Sequence, residues 1–243
     1  MMQPHLKIKK SPKYVLLPGD PGRIDRIIKY LKCVTEISAN REFRAAIGKY
    51  RGTKILAVSS GIGCPAAAIA VEELAKAGAK TIIRVGTCGG LLKEMQPGSL
   101  VIPKAAFCGD GTTREYGISG IIKADKRVVS ALTQAAQKLN LEYFSGINRT
   151  HDAFYEPTEN FVVLAGKGFV SSEMECSAVF AVSKLRNISA GAVLVVVTPE
   201  PPEEVKKNPK IVYKLVDAEK VSIGIDNAIK IALEAIKILD GTK

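Results

Sequence analysis

The chain has 243 residues, 47% of them hydrophobic, which is enough to build the core of one large α/β domain over residues 1–243. The lysines behind its formal net charge of +11 are spread along the chain and aromatic residues make up only 6%, so the composition argues against a nucleic-acid partner. Five scattered cysteines without a CxxC pair, beside two histidines, predict neither a zinc site nor a disulfide framework.

No apolar run reaches the length that a bilayer requires, and the first residues, MMQPHLKIKK, lack the apolar block of a signal peptide. We therefore expect a cytoplasmic protein with no membrane partner. Plentiful lysine and glutamate beside scarce glutamine form a composition that leans towards thermophiles.

Short apolar runs alternate with segments of helical period, which predicts an α/β fold with a central mixed β-sheet flanked by helices. The expected strands cover residues 14–19, 54–61, 81–86, 99–103 and 189–197. The expected helices cover residues 22–31, 65–79, 126–140, 173–187 and 226–239. The proline-rich, charged segment 198–210 is too long for a simple connection and is predicted to form a lid.

Glycine-containing turns follow the expected strands at PGDPGR, SGIGCP and RVGTCGG. Ligands of open α/β sheets lie at the carboxyl ends of the strands, where glycine lets backbone N–H groups approach an anion. None of these turns fits G-x-G-x-x-G or the phosphate-binding P-loop, so the two commonest nucleotide fingerprints are absent from them.

Two of these turns carry an arginine, Arg23 after GDPG and Arg84 before GTCGG. A guanidinium presents a fork of donors that matches phosphate oxygens, so two arginines at one edge predict an oxyanion site. The alternative for Arg84 is an ion pair with a nearby carboxylate. Arg23 at a helix start opposes the helix dipole, so some other contact should hold it there.

The stretch SSEMECSAVF places Glu173 and Glu175 at the head of an apolar helix. Their simplest role is to complement the helix dipole in its first turn. Because they lead into a fully apolar stretch, at least one should be buried and need a partner, and a vicinal diol would be a suitable one.

Five stretches in order, GDPGR, GIGCP, RVGTCGG, HDAFY and EMEC, resemble the nucleoside phosphorylase family of hexameric purine nucleoside phosphorylases, uridine phosphorylases and their archaeal and apicomplexan relatives. The general look is most similar to the archaeal uridine-phosphorylase-like members. The resemblance extends from about His5 to the C-terminal helix. It implies the phosphorylase/hydrolase-like fold and a homohexamer built as three dimers with shared active sites.

The resemblance assigns roles by position. It implies a phosphate cradle of Gly19, Arg23, Arg41, Arg84 and Thr87, a ribose site of His5, Met174 and Glu175, and a base site of Phe154, Tyr155, Thr158 and Asn160. His5 and Arg41 would serve a neighbouring subunit. Arg84, Glu175 and Arg23 would carry the catalysis, in which phosphate attacks the anomeric carbon and no metal or organic cofactor takes part.

The chain departs from this family on the base side. Val197, Thr198 and Pro199 stand where purine phosphorylases have an aspartate that protonates the leaving base, and Glu200 is the nearest substitute. The glutamine and arginine that read uracil are also missing, with Thr158 and Asn160 in that region. Uracil leaves without ring protonation, so we expect a uridine phosphorylase. The alternatives are a purine nucleoside or methylthioadenosine phosphorylase, a nucleosidase, or a non-catalytic nucleoside-binding protein.

Overall fold

A computed structural model describes residues 1–155, 157–165, 167–208 and 217–241, without the side chains of residues 158, 160, 164 and 165. The strands in these residues are β1 (Tyr14–Pro18), β2 (Lys32–Asn40), β3 (Phe43–Tyr50), β4 (Thr53–Val58), β5 (Thr81–Gly90), β6 (Leu100–Val101), β7 (Ala105–Cys108), β8 (Ile121–Lys123), β9 (Ile147–Thr150), β10 (Ser171–Glu173) and β11 (Ser189–Pro199). The helices are α1 (Arg23–Ile28), α2 (Cys64–Ala77), α3 (Gly111–Glu115), α4 (Lys126–Lys138), α5 (Thr158–Ala165), α6 (Cys176–Leu185), α7 (Pro202–Lys207) and α8 (Ala218–Asp240).

The strands form one mixed 11-stranded sheet in which β5 is the central element. Strands β1 and β11 pair with β5 in parallel, and β10 pairs with its last residues in antiparallel orientation. The apolar side chains of Ile82, Ile83 and Val85 are almost fully buried, as expected of a strand covered on both faces. The predicted mixed sheet flanked by helices is therefore confirmed.

Helices cover both faces of this sheet. Helices α2 and α6 pack on one face through residues such as Leu74 and Phe180. Helices α4 and α8 pack together on the other face through Leu132 and Leu233. Pro65 lies in the first turn of α2, where its missing N–H costs no hydrogen bond. No helix among the described residues is long and apolar enough to cross a membrane.

The structure adds one hairpin and moves the start of one helix, and the lid stays a prediction. The hairpin of β2 and β3 was not expected, because β2 is mostly exposed and shows no apolar pattern. The helix predicted to begin at residue 173 begins at Cys176, because Ser171–Glu173 forms strand β10 instead. In the predicted lid, β11 extends to Pro199 and α7 occupies 202–207, while residues 209 and 210 lie outside the described chain.

Candidate active site

A cavity of about 800 Å³ opens at the carboxyl ends of the central parallel strands. The turns after β1 and β4 form one side of it, and a hydrogen bond from the Gly61 N–H to the Gly19 carbonyl, 2.9 Å long, joins these turns. Gly61 has φ +74°, a conformation that other residues rarely adopt. The polar or charged residues in the wall are Asp20, Arg23, Glu42, Arg84, Thr87, His151, Ser172, Glu173, Glu175, Thr198 and Glu200.

Arg84 lies on β5 and is 3% exposed. Its Nε donates to Oε2 of Glu173 at 3.2 Å and its Nη2 donates to Glu175. Burial disfavours the charge, but the attraction of Glu175 and Glu173 outweighs it, so the pKa of Arg84 lies above its ordinary value. Within the described residues Nη1 has no hydrogen-bond partner. A Cβ placed on Gly19 would lie 3.8 Å from this nitrogen, so Nη1 sits beside the Gly19 turn.

Glu173 is a buried structural carboxylate at the end of β10. It accepts hydrogen bonds from Thr150 Oγ1 at 2.7 Å, Asn148 Nδ2 at 2.8 Å and the backbone N–H of Glu175 at 2.8 Å. It also accepts from the N–H of Cys176, which opens α6. Glu173 therefore lies outside the first helical turn that the sequence suggested, and it fixes Arg84 and the start of α6 together.

Glu175 is 4% exposed and precedes the first residue of α6. Its Oε1 accepts from the Gly63 N–H at 2.6 Å, and its Oε2 accepts from Arg84. Burial raises the pKa of Glu175 above its ordinary value, against the opposing effect of Arg84. The prediction that a glutamate here is buried and partnered is confirmed, and the ion-pair alternative for Arg84 is also confirmed. A carboxylate has about four acceptor positions, so Glu175 retains capacity for a ligand hydroxyl.

Arg23 is the first residue of α1 and is 8% exposed. Its Nη1 donates to the Val85 carbonyl on β5 at 2.9 Å, which is the contact that holds it against the helix dipole. Burial, and then the positive charge of Arg84, lower the pKa of Arg23 to about 10. Two buried guanidinium groups that repel each other in one cavity form a site that an anion would stabilise.

The cavity brings together part of the predicted site. The predicted residues in its wall are Gly19, Arg23, Arg84, Thr87, Phe154, Met174 and Glu175. Among the described residues His5, Arg41 and Tyr155 lie outside this wall. Nδ1 of His5 is 2.6 Å from Glu73 Oε1, Arg41 is exposed, and Tyr155 is 82% exposed. The side chains of Thr158 and Asn160 are outside the described part of the structure.

Glu200 enters the cavity wall from the end of β11 and is 8% exposed. Its backbone N–H donates to the Gly90 carbonyl at 2.6 Å. A Cβ on Gly89 would lie 2.3 Å from Glu200 Oε2, so the absence of a side chain at Gly89 makes room for this carboxylate. The second glycine of the GTCGG turn was the sequence signal for this close approach.

Asp20, Glu42, Ile62 and His151 also line the cavity, although sequence reasoning gave them no role. His151 stands in the quoted stretch HDAFY, and Glu42 follows Arg41, so both were adjacent to residues already selected. Their position beside selected residues was the only sequence signal for these two. It could be used only by knowing which turns face the cavity.

One group of metal-ligating atoms in the described chain, from Cys64, Asp110 and Asp152, lies within 4.8 Å of one another. Burial raises the pKa of the Cys64 thiol well above its ordinary value, which disfavours the thiolate that a metal prefers. Asp110 already accepts from the Ser177 hydroxyl at 2.6 Å and the Thr113 hydroxyl at 2.8 Å. Hydrogen bonds therefore account for this cluster.

Comparisons with known proteins agree with this geometry. A model of the phosphorylase superfamily matches residues 13–232. A guanosine phosphorylase from Halorubrum lacusprofundi is 35% identical over 198 residues, which are 80% of this chain and 82% of that protein. A uridine phosphorylase from Thermococcus kodakarensis is 43% identical over 157 residues, 63% of this chain and 57% of that protein. The crystal structure of a purine nucleoside phosphorylase from Toxoplasma gondii in complex with immucillin-H gives a TM-score of 0.88 at 31% identity, covering 100% of this chain and 98% of that one.

Proposed function

This chain belongs to the phosphorylase superfamily and is a nucleoside phosphorylase, and we propose that it cleaves uridine with inorganic phosphate to give uracil and ribose 1-phosphate. Enzymes of this kind are pentosyltransferases that act by phosphorolysis. In our proposal the phosphate is a co-substrate and the reaction uses no metal or organic cofactor. The enzyme would act in nucleoside salvage in the cytoplasm.

The pair of buried arginines is the observation that carries this proposal. The buried Nη1 of Arg84 lies beside the Gly19 turn and has no hydrogen-bond partner among the described residues. Arg23 lies close enough that the charge of Arg84 lowers its pKa. A phosphate dianion between them would receive charge-assisted hydrogen bonds and relieve their repulsion. The Gly19 backbone and the Thr87 hydroxyl complete the proposed cradle.

Glu175 and Met174 are the proposed ribose contacts. Glu175 would accept hydrogen bonds from the ribose hydroxyls and fix the sugar with its anomeric carbon towards the phosphate. As the glycosidic bond lengthens, the sugar becomes cationic, and the bound dianion stabilises it at short range. The protein then needs no nucleophilic side chain, because phosphate itself forms the new bond to carbon.

The residues at the proposed base site favour uridine over purine nucleosides. Val197 and Thr198 line the cavity where a purine phosphorylase of this family would place its aspartate. Uracil can leave as an anion that hydrogen bonds stabilise, so it tolerates the loss of that acid. Phe154 also lines the cavity and is the proposed stacking partner of the base.

Glu200 supports a second candidate, purine nucleoside phosphorolysis. Its buried carboxylate lines the same cavity directly after the last residue of β11, next to the positions where the aspartate is missing. In this candidate Glu200 would donate the proton to the leaving purine. The similarity to a guanosine phosphorylase is in line with this candidate.

The test is base release from uridine, guanosine, inosine, adenosine and methylthioadenosine at saturating phosphate. Uracil released with a kcat/KM at least about tenfold above every purine supports the uridine proposal. Faster release of a purine overturns it in favour of the second candidate. Nucleoside binding without release of any base would leave only the binding-protein alternative.

We also propose a homohexamer, built as three dimers, in which neighbouring chains complete each site. His5 is held by Glu73 and Arg41 is exposed, and neither lines the cavity of its own chain. If a second chain packed against the side of the sheet that carries His5 and Arg41, both side chains could reach the cavity of that second chain. This arrangement gives the two residues a function that a single chain does not.

A further inference from the structure

A second, smaller cavity of about 220 Å³ lies at the opposite end of the sheet from the candidate active site. It opens where β1, β5 and β11 begin, next to the first turn of α4. Its wall consists of Lys13, Tyr14, Lys80, Thr81, Arg127, Val128, Asn187, Ser189 and Leu239. Nothing in the proposed phosphorolysis uses this cavity.

The charged groups in this wall are all positive. Lys13, Lys80 and Arg127 are exposed, and none of them forms an ion pair with a carboxylate of the described chain. The start of α4 adds no positive potential to this wall, because the carboxylate of its N-cap residue, Asp125, already lies at that end of the helix dipole. The carboxylate nearest in sequence, Asp125, is engaged with the N–H groups of Arg127 at 2.9 Å and Val128 at 3.1 Å.

Tyr14 supplies an independent sign of a ligand. It is 2% exposed, and within the described residues its hydroxyl has no hydrogen-bond partner. The ammonium group of Lys13 lies 4.8 Å from the centre of the Tyr14 ring, so a cation is held directly over this wall residue. A buried hydroxyl without a partner is costly, and such groups in native proteins call for an explanation.

We propose that this cavity, the basal cavity, binds a small oxyanion of the phosphate class. Lys13, Lys80 and Arg127 would supply its counter-charge, and the Tyr14 hydroxyl would donate the buried hydrogen bond. The hydroxyls of Thr81 and Ser189 lie in the same wall. Inorganic phosphate and a phosphomonoester such as a pentose 1-phosphate share this chemistry. Inorganic phosphate, the co-substrate of the proposed reaction, is the occupant that we propose, and the monoester is an arm of the test.

The experiment counts bound phosphate per chain by equilibrium dialysis with radiolabelled phosphate. The full chain is compared with Tyr14→Phe and with the double variant Lys80→Met/Arg127→Met. A matched double variant, Lys104→Met/Lys123→Met, removes the same charge from exposed positions outside the basal cavity. At a free phosphate concentration near the parent's dissociation constant for the basal cavity, the count should fall in the first two variants and stay unchanged in the matched control. If the proposed phosphorolysis is wrong, the phosphate expected at Arg84 would instead be missing from all four proteins.

Tyr14→Phe is the sharpest variant because it changes no charge. We expect its dissociation constant for the basal phosphate to rise about tenfold, the effect of one lost hydrogen bond to a charged ligand. Its unfolding temperature in chloride should equal or exceed that of the parent, while the stabilisation by phosphate at equal ionic strength should shrink. Equal phosphate counts in all four proteins would overturn the proposal, as would tighter binding of the pentose 1-phosphate than of phosphate at this cavity.

Discussion

Among single residues, the proposed role of Arg23 in holding phosphate predicts that phosphate affinity depends on pH. Its pKa is lowered to about 10, so in the free enzyme it is charged below that pH and loses its proton as the pH rises through it. The kcat/KM for phosphate should therefore decline above about pH 10. In Arg23→Gln the KM for phosphate should be raised about tenfold at pH 8, and this decline should disappear. A variant that keeps the alkaline decline would show that another group causes it.

Glu200 and Gly89 form a second test at this scale. Alanine at position 89 would place its Cβ 2.3 Å from Glu200 Oε2, so the carboxylate must move. If Glu200 protonates a purine, Gly89→Ala and Glu200→Gln should both lower purine release relative to uracil release. Gly111→Ala is the control, because its nearest neighbour atom would be at an ordinary 3.6 Å. Unchanged purine-to-uracil ratios in both variants would remove Glu200 from the reaction.

The residues of the site were predictable from sequence to different degrees. Arg84 stood out because a cation interrupts an apolar strand, and Glu175 because a carboxylate opens an apolar helix. Their pairing was not predictable, since it depends on β10 crossing to the end of β5. Glu173 is the last residue of β10, whereas Glu175 lies beyond this strand. A strand of three residues is too short to show an alternating pattern in the sequence.

At the scale of elements, a buried carboxylate anchors α8 to the rest of the fold. Glu234 is 3% exposed and accepts from Arg51 Nη1 at 3.0 Å and from the ammonium group of Lys138. Burial opposes its charge, but the hydrogen bond from Lys138 and the charge of Arg51 outweigh it and hold the pKa of Glu234 below its ordinary value. Helix α8 is thereby tied to α4 and to the turn between β3 and β4.

Glu234→Gln should therefore lower the free energy of unfolding by about 1–3 kcal/mol at pH 7. Because the folded pKa lies below the unfolded one, this stability is present above the unfolded value and is lost as the pH falls through the folded value. The difference from the parent in urea unfolding should thus shrink below about pH 4. Glu142→Gln, at an exposed position, is the control. A difference that persists at acid pH would mean that the carboxylate's charge contributes nothing.

The same scale shows where sequence patterns succeed. Strands β1, β4, β5 and β11 were predicted because burial on both faces produces continuous apolar runs. The edge strand β8, with two of its three residues exposed, escaped prediction for the opposite reason. Pairing with neighbours, rather than local composition, makes these segments strands.

For the molecule as a whole, the proposed sharing of active sites between neighbouring chains leads to a prediction about mixed assemblies. Arg84→Gln would disable the site of its own chain, and Arg41→Ala would disable the site of a neighbour. Chains of the two variants, each nearly inactive alone, should recover roughly a quarter of parental activity after unfolding and refolding together, because half of random dimers hold one intact site of two. Mixing two Arg84→Gln preparations is the control. Absence of recovery would show that Arg41 does not act across a dimer interface.

If Arg84 holds the phosphate that attacks the nucleoside, product formation must depend on both. The decisive experiment measures ribose 1-phosphate formed from uridine, with and without inorganic phosphate, in the parent, in Arg84→Gln and in Arg186→Gln. Arg186 is an exposed arginine paired with Glu72 and serves as the matched control. We predict product only with phosphate, a loss of at least about 100-fold in kcat/KM for Arg84→Gln, and parental activity for Arg186→Gln. Uracil release that continues without phosphate, or that survives in Arg84→Gln, would show that Arg84 does not hold the attacking phosphate.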